Sequence, residues 1–127
     1  MLRACHDLLK PGGRLAFATI YIRPGADERA YRRAARARGR GVANRQPIAE
    51  LLRAAGFVDV RENDVTPAFE RTTRAYLETG RRLYEQLARE WGDESLAQSL
   101  GHWRKSLAVT EEGILCRGIF SARRPIT

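Results

Sequence analysis

The run Leu-Ala-Phe-Ala-Thr-Ile-Tyr-Ile at residues 15–22 limits the possible folds of this chain more than any other segment. Read as a strand, it turns Leu15, Phe17, Thr19 and Tyr21 to one side and Ala16, Ala18, Ile20 and Ile22 to the other. Both faces are then largely apolar, and such a strand belongs in a sheet covered by helices on both sides. Ahead of it, Leu2, Cys5, Leu8 and Leu9 recur at helical spacing. That helix is predicted to stop at Lys10, because Pro11 disfavours helical backbone at the residue before it, and Gly12 with Gly13 supplies the turn. Pro24 and Gly25 end the strand.

Downstream, residues 27–38 read as a short helix rich in Ala and Arg. Pro47 stands at the first turn of another helix, with Ile48, Leu51, Leu52 and Ala55 on one face and Gly56 as its stop. Residues 57–65 form a second, half-exposed strand, in which Asp59, Arg61 and Asn63 alternate with Val58, Val60 and Glu62. From 67 to 91 a single stripe, Phe69, Thr73, Tyr76, Leu77, Gly80, Leu83, Tyr84, Leu87 and Trp91, predicts one long amphipathic helix. Gly92 and Asp93 break and re-cap it, and Leu96, Leu100, Trp103 and Leu107 mark the next helix. Residues 114–122 form the last strand, with Gly118 expected where another backbone comes close.

The chain of 127 residues suits one domain, and its net charge of +8 is almost wholly arginine, since Lys10 and Lys105 are the only lysines among 23 basic residues. That balance favours phosphates or acidic partners, although an Arg- and Ala-rich surface also arises from a GC-rich coding sequence. No apolar run reaches the roughly 20 residues of a membrane span, no leader with a small-residue cleavage site opens the chain, and a cytoplasmic protein is expected. Cys5 and Cys116 are too few for a disulfide framework and lack zinc spacing. His6 and His102 have no second ligand at metal spacing, so no metal site is expected.

The run Leu8-Leu9-Lys10-Pro11-Gly12-Gly13-Arg14-Leu15, followed about 40 residues later by Ala55-Gly56-Phe57, resembles the class I S-adenosylmethionine-dependent methyltransferases. The resemblance implies an α/β fold: the C-terminal half of a seven-stranded Rossmann-like sheet. Three strands would lie in spatial order fifth, seventh, sixth, with the last antiparallel and a helical insertion over about 66–112 inside a single partial domain, 1–127. The family's cofactor turn and its ribose-binding carboxylate match positions upstream of Met1. The expectation is therefore a fragment that begins inside a helix, does not bind S-adenosylmethionine alone and is inactive by itself. Gly39-Arg40-Gly41 lacks a preceding apolar strand and reads as a tight connection, not a cofactor turn. The parent would transfer a methyl group to a small molecule, and residues 15–22 would leave an open apolar edge for self-association or a complementing chain.

Thr19, Tyr21 and Arg23, at the carboxyl end of the buried strand, are candidates for a substrate crevice, as open α/β sheets place ligands there. Tyr76, His102 and Trp103 are candidates for a substrate lid; alternatively Tyr76, Tyr84, Trp91 and Trp103 pack the helices against one another. No catalytic residue is assigned, because methyl transfer mainly requires alignment of nucleophile and methyl group. The rival reading is a small basic module that grips RNA or another polyanion through Arg29, Arg32, Arg33, Arg36 and Arg40, which share a helix face. Tyr31 alone interleaves with that stripe, too few aromatics to stack successive bases, which argues against nucleic acid.

Overall fold

The computed structural model describes residues 1–38 and 45–127. Its elements run α1 (Leu2–Leu8), β1 (Arg14–Ile22), α2 (Glu28–Arg38), α3 (Ile48–Ala54), β2 (Val58–Asp64), α4 (Thr66–Arg82), α5 (Tyr84–Trp91), α6 (Asp93–Glu111) and β3 (Leu115–Arg123). The proposed Gly39-Arg40-Gly41 connection lies outside the described residues. The sheet order is β1-β3-β2, with β3 antiparallel to both neighbours, so β1 and β2 are parallel to each other. This is the order and polarity expected of fifth, seventh and sixth strands.

Nine residue pairs, from Arg14↔Arg123 to Ile22↔Leu115, lock β1 to β3. On one face, Leu15, Phe17 and Tyr21 meet Phe120, Ala122, Leu52 and Phe57, under α1 and α3. Phe120 is fully buried, stacked on Phe17 at 5.6 Å and edge-on to Tyr21 at 5.8 Å. On the other face, Ile20, Ile22 and Leu115 pack with Ala34, Ala37, Phe69 and Val109 from α2, α4 and α6. The two-sided apolar strand thus has a core on each side at its carboxyl half. Towards its amino half Ala16 and Ala18 are exposed.

Several expectations change in detail. Leu8 points to solvent at 87% exposure, while Leu2, Cys5 and Leu9 pack on the core and His6 lies edge-on to Phe57 at 5.2 Å. The α1 end is closed by Arg124, whose Nη1 donates to the carbonyl oxygens of His6 and Asp7 at 3.2 Å, satisfying acceptors a helix terminus leaves free. Pro47 sits at the N-cap rather than inside the first turn. Strand β2 is more exposed than alternation predicts, because it is a sheet edge and a bulge between Val58 and Arg61 shifts its register, with Asp59 at φ 51°. Around Gly118 it is aromatic rings, not a second backbone, that come close: a Cβ there would lie 2.8 Å from the Phe120 ring and 3.2 Å from the Tyr21 ring.

The long helix predicted over 67–91 is two helices, divided at Leu83 (φ −100°, ψ 22°). The apolar stripe continues through the break, so periodicity gives no sign of it. The bend lets α4 and α5 both pack on α6, closing a satellite core of Leu77, Leu96 and Leu100 with Leu87, Ala88, Trp103 and Leu107 at its rim. Gly80 makes this possible, since a Cβ there would meet Leu100 Cδ2 at 2.6 Å. Tyr76 (56% exposed), Tyr84 (38%) and Trp91 (47%) remain open to solvent, so the aromatics do not jointly pack the helices.

Replacing Gly118 by Val should force the Phe120 ring from its site and destabilise the fold by about 2 kcal/mol, the usual scale of overpacking. Chemical denaturation checks this, and an unchanged midpoint would show that the rings can move aside.

Candidate functional site

Two groups of polar side chains converge near the carboxyl end of β1, one on each sheet face. On the α1/α3 face the Tyr21 hydroxyl donates to Glu62 Oε1 at 3.0 Å. Burial, then the bond to Glu62, raises the phenol's pKa above its usual range. Cys116, the cross-strand partner of Tyr21, has its thiol pKa pushed up chiefly by burial, with Thr66 opposing. Asp64 accepts from the backbone N–H of Thr66 at 2.9 Å and from its hydroxyl at 2.5 Å, which fixes the entry to α4. Thr19 faces the same side and is half-buried. Arg23 continues past the strand, held by its backbone N–H to Ile114 O at 2.7 Å, with its side chain exposed.

The opposite face carries a concentration of positive charge. Arg38, at the end of α2, donates from Nη1 to His102 Nε2 of α6 at 3.0 Å. A ring nitrogen that accepts from a guanidinium belongs to the neutral imidazole, with the proton on Nδ1. Burial, then Arg38, then Lys105 hold the His102 pKa below its ordinary value. Arg38 is itself depressed by burial and by Arg117, which lies over the Phe69 ring at 5.9 Å. Arg38 Nε is buried and has no hydrogen-bond partner among the described residues. Among those residues no carboxylate pairs with Arg38, His102 or Arg117, whereas other arginines nearby are neutralised. Arg33 binds Glu112 at 2.6 and 2.8 Å, and Arg74 binds Glu70 and Glu111 at 3.0 and 2.7 Å.

The six predicted substrate residues are therefore divided. Thr19 and Tyr21 lie on one sheet face, and His102 reaches α2 on the other. Trp103, the next residue, turns instead to α4, 5.7 Å from the Tyr76 ring and 3.3 Å from a Cβ built at Gly80. Sequence reasoning singled out His102 but missed Arg38 and Arg117, which look like ordinary members of an arginine-rich chain until α2, α6 and β3 are assembled. In the polyanion stripe, Arg33 is engaged by Glu112 and Arg32 by Glu28 at 3.3 Å. Arg29 and Arg36 are exposed, and Arg40 lies outside the described residues.

The residues at this edge do not by themselves fit S-adenosylmethionine. The turn after β1 holds one glycine, Gly25 (φ 83°), and Glu62 and Asp64 already accept from Tyr21 and Thr66. Among the described residues no group of His, Cys, Asp and Glu could hold a metal ion, and no helix is long and apolar enough to cross a membrane.

No family model matches the chain. In sequence it is similar to phosphoethanolamine N-methyltransferase 3 of Arabidopsis thaliana, 27% identical over 128 residues, covering 98% of this chain and 25% of that protein. In structure it is similar to phosphoethanolamine N-methyltransferase 2 of Haemonchus contortus, solved with phosphomonomethylethanolamine and S-adenosylhomocysteine. That match has a TM-score of 0.83 and 18% identity, and covers 98% of this chain and 29% of that one. A cyclopropane synthase from Mycobacterium tuberculosis matches with a TM-score of 0.76 and 15% identity, over 97% of this chain and 48% of that one. The chain thus spans about a quarter of the curated relative, and the resemblance to methyltransferases read from its sequence holds in both comparisons.

Folding depresses the His102 pKa, so the native state resists a proton that the unfolded chain accepts. The stability this neutral histidine contributes is complete above the unfolded value of about 6.5 and is lost as pH falls through the lower folded value. Melting curves should show that loss on acidification in the parent chain and a smaller one in His102→Gln; identical pH profiles would contradict it.

Proposed function

From a chain with the Rossmann-like methyltransferase fold, we propose that these residues are the acceptor side of an S-adenosylmethionine-dependent methyltransferase domain. The acceptor is a small molecule with an anionic group such as a phosphomonoester, held by Arg38, His102 and Arg117. One observation carries this reading: three basic side chains from three elements converge, with a buried donor left over and no carboxylate among them in the described residues. Like charges gathered in a partly buried place are costly unless an anion completes the set, and guanidinium groups suit phosphate geometry. The names of the similar proteins, which act on phosphoethanolamine or carry phosphomonomethylethanolamine, support the same class of acceptor.

S-adenosylmethionine, held by the complete domain, would supply the electrophilic methyl group. This chain's residues anchor the acceptor by its anionic end, so that its nucleophile is presented beyond the carboxyl edge of β1, and alignment is the catalytic contribution. His102 in its neutral form presents Nε2 to Arg38, and protonation would add positive charge to the anchor.

The cofactor cradle is expected to come from chain that pairs with the free edge of β1. Helices α1 and α3 cover the same sheet face, and the β1–α3–β2 crossover fixes the direction in which parallel strands advance. By the right-handed rule, a strand feeding α1 lies parallel to β1 on the side away from β3. An apolar groove of about 650 Å³, lined by Leu2, Cys5, Phe17, Ala18, Ile48 and Leu51 among others, flanks that edge. A single domain over 1–127 that is inactive alone, in a cytoplasmic setting, belongs to the same proposal.

Phosphorus NMR titration with O-phosphoethanolamine should show saturable binding to the chain, at least tenfold weaker in Arg38→Gln. Equal binding by Arg38→Gln, or equal affinity for unphosphorylated ethanolamine, would refute the anion anchor.

A further inference from the structure

A second basic cluster lies at the other end of the sheet, where the proposed acceptor site does not reach. Arg14 of β1 is the direct cross-strand partner of Arg123 of β3, and Arg61 of β2 pairs with Ser121, two residues along β3 on the same face. Like charges directly opposite one another weaken a sheet. These arginines line a cavity of about 430 Å³ with Ala16, Ser121 and Asp59. The helices that cover this face farther along pack on Ile20, Ile22 and Leu115, leaving Ala16 exposed and Ile119 44% exposed.

Three independent features mark the cavity as more than an arginine-rich surface. Arg123 Nε is buried with no hydrogen-bond partner among the described residues, although the same guanidinium reaches Asp59 Oδ2 at 2.5 Å. A buried donor without an acceptor destabilises the fold unless something supplies one. Asp59 is the one positive-φ residue other than glycine among those described, held at φ 51° in the bulge that swings it towards Arg123. Backbone kept in that region gathers at sites where geometry matters more than stability. Arg14 and Arg61 make no ion pair among the described residues, so one carboxylate stands against three guanidinium groups.

We propose that this amino-edge cavity is a binding site for a small polyanion of the pyrophosphate type, distinct from the acceptor anchor. Arg14 and Arg61 would flank the anion, and the Arg123 side chain, pivoting on its pair with Asp59, would turn its buried Nε–H towards it. The anion would then offset the Arg14–Arg123 repulsion and satisfy the orphan donor together. The two basic clusters lie roughly 20 Å apart, six residues of strand at about 3.3 Å each, so one small ligand does not span both.

The test is calorimetric titration of the 127-residue chain with pyrophosphate, with ADP in a parallel arm to separate a nucleoside diphosphate from the bare anion. Arg14→Gln and Arg61→Gln alter exposed side chains and should retain the fold; each should weaken pyrophosphate binding at least fivefold. Arg38→Gln should leave it unchanged, which separates this site from the acceptor anchor. Nitrogen-detected NMR of arginine Nε–H groups should show Arg123 shifting on saturation. Tighter binding of ADP with the same variant pattern would support the site and name a nucleotide as its source. Pyrophosphate binding that follows Arg38 or the Arg29 and Arg36 pair instead, or an Arg123 Nε signal that does not move, would overturn the proposal.

Discussion

The pairing of β1 with β3 is the interaction on which the remaining architecture depends. Its nine-residue register places Phe17 against Phe120 on one face and Ile22 against Leu115 on the other, so a single ladder seeds both cores. Helices α1 and α3 then have Phe17, Phe120 and Ala122 to cover, and α2, α4 and α6 have Ile22 and Leu115. Full burial of a side chain such as Phe120 or Leu115 contributes about 2 kcal/mol each, which matters in a sheet of only three strands. With β3 in the centre, β1 and β2 become edges; β2 is shortened, bulged and charged, as edges commonly are, while β1 keeps apolar side chains up to its free side.

Much of this was legible in the sequence because it rests on local chemistry. Pro11 with Gly12 and Gly13 fixes where α1 ends and β1 begins, and the two-sided pattern of residues 15–22 announces helices on both faces. The strand order came from the resemblance rather than from periodicity. What stayed hidden depends on contacts between distant residues. The bend at Leu83 leaves the apolar stripe intact, the bulge at Asp59 leaves the alternation of β2 intact, and both follow from what α6 and β3 present to them.

The candidate site was half visible. His102 and Tyr21 stood out as functional residue types, but Tyr21 bonds Glu62 on one face while His102 meets Arg38 on the other. Arg38 and Arg117 cannot be told from the other arginines until the fold brings some of them, and not others, to a carboxylate. Arg33 and Arg74 do; Arg38 and Arg117 share their surroundings with other cations instead. In a chain with charge +8, the informative arginines at this site are the half-buried ones without an acidic partner among the described residues.

Strand β1 has one edge paired with β3 and one edge vacant among the described residues. Amide hydrogen exchange of the dilute 127-residue chain addresses that directly. Alternating protection is predicted along Arg14–Ile22, slow where the N–H groups turn to β3 and fast where they turn outward, with β3 the slowest element of all. Uniform protection along those nine residues would mean that the outer edge is already covered, and uniform fast exchange would mean that the ladder does not form; either result would contradict the account.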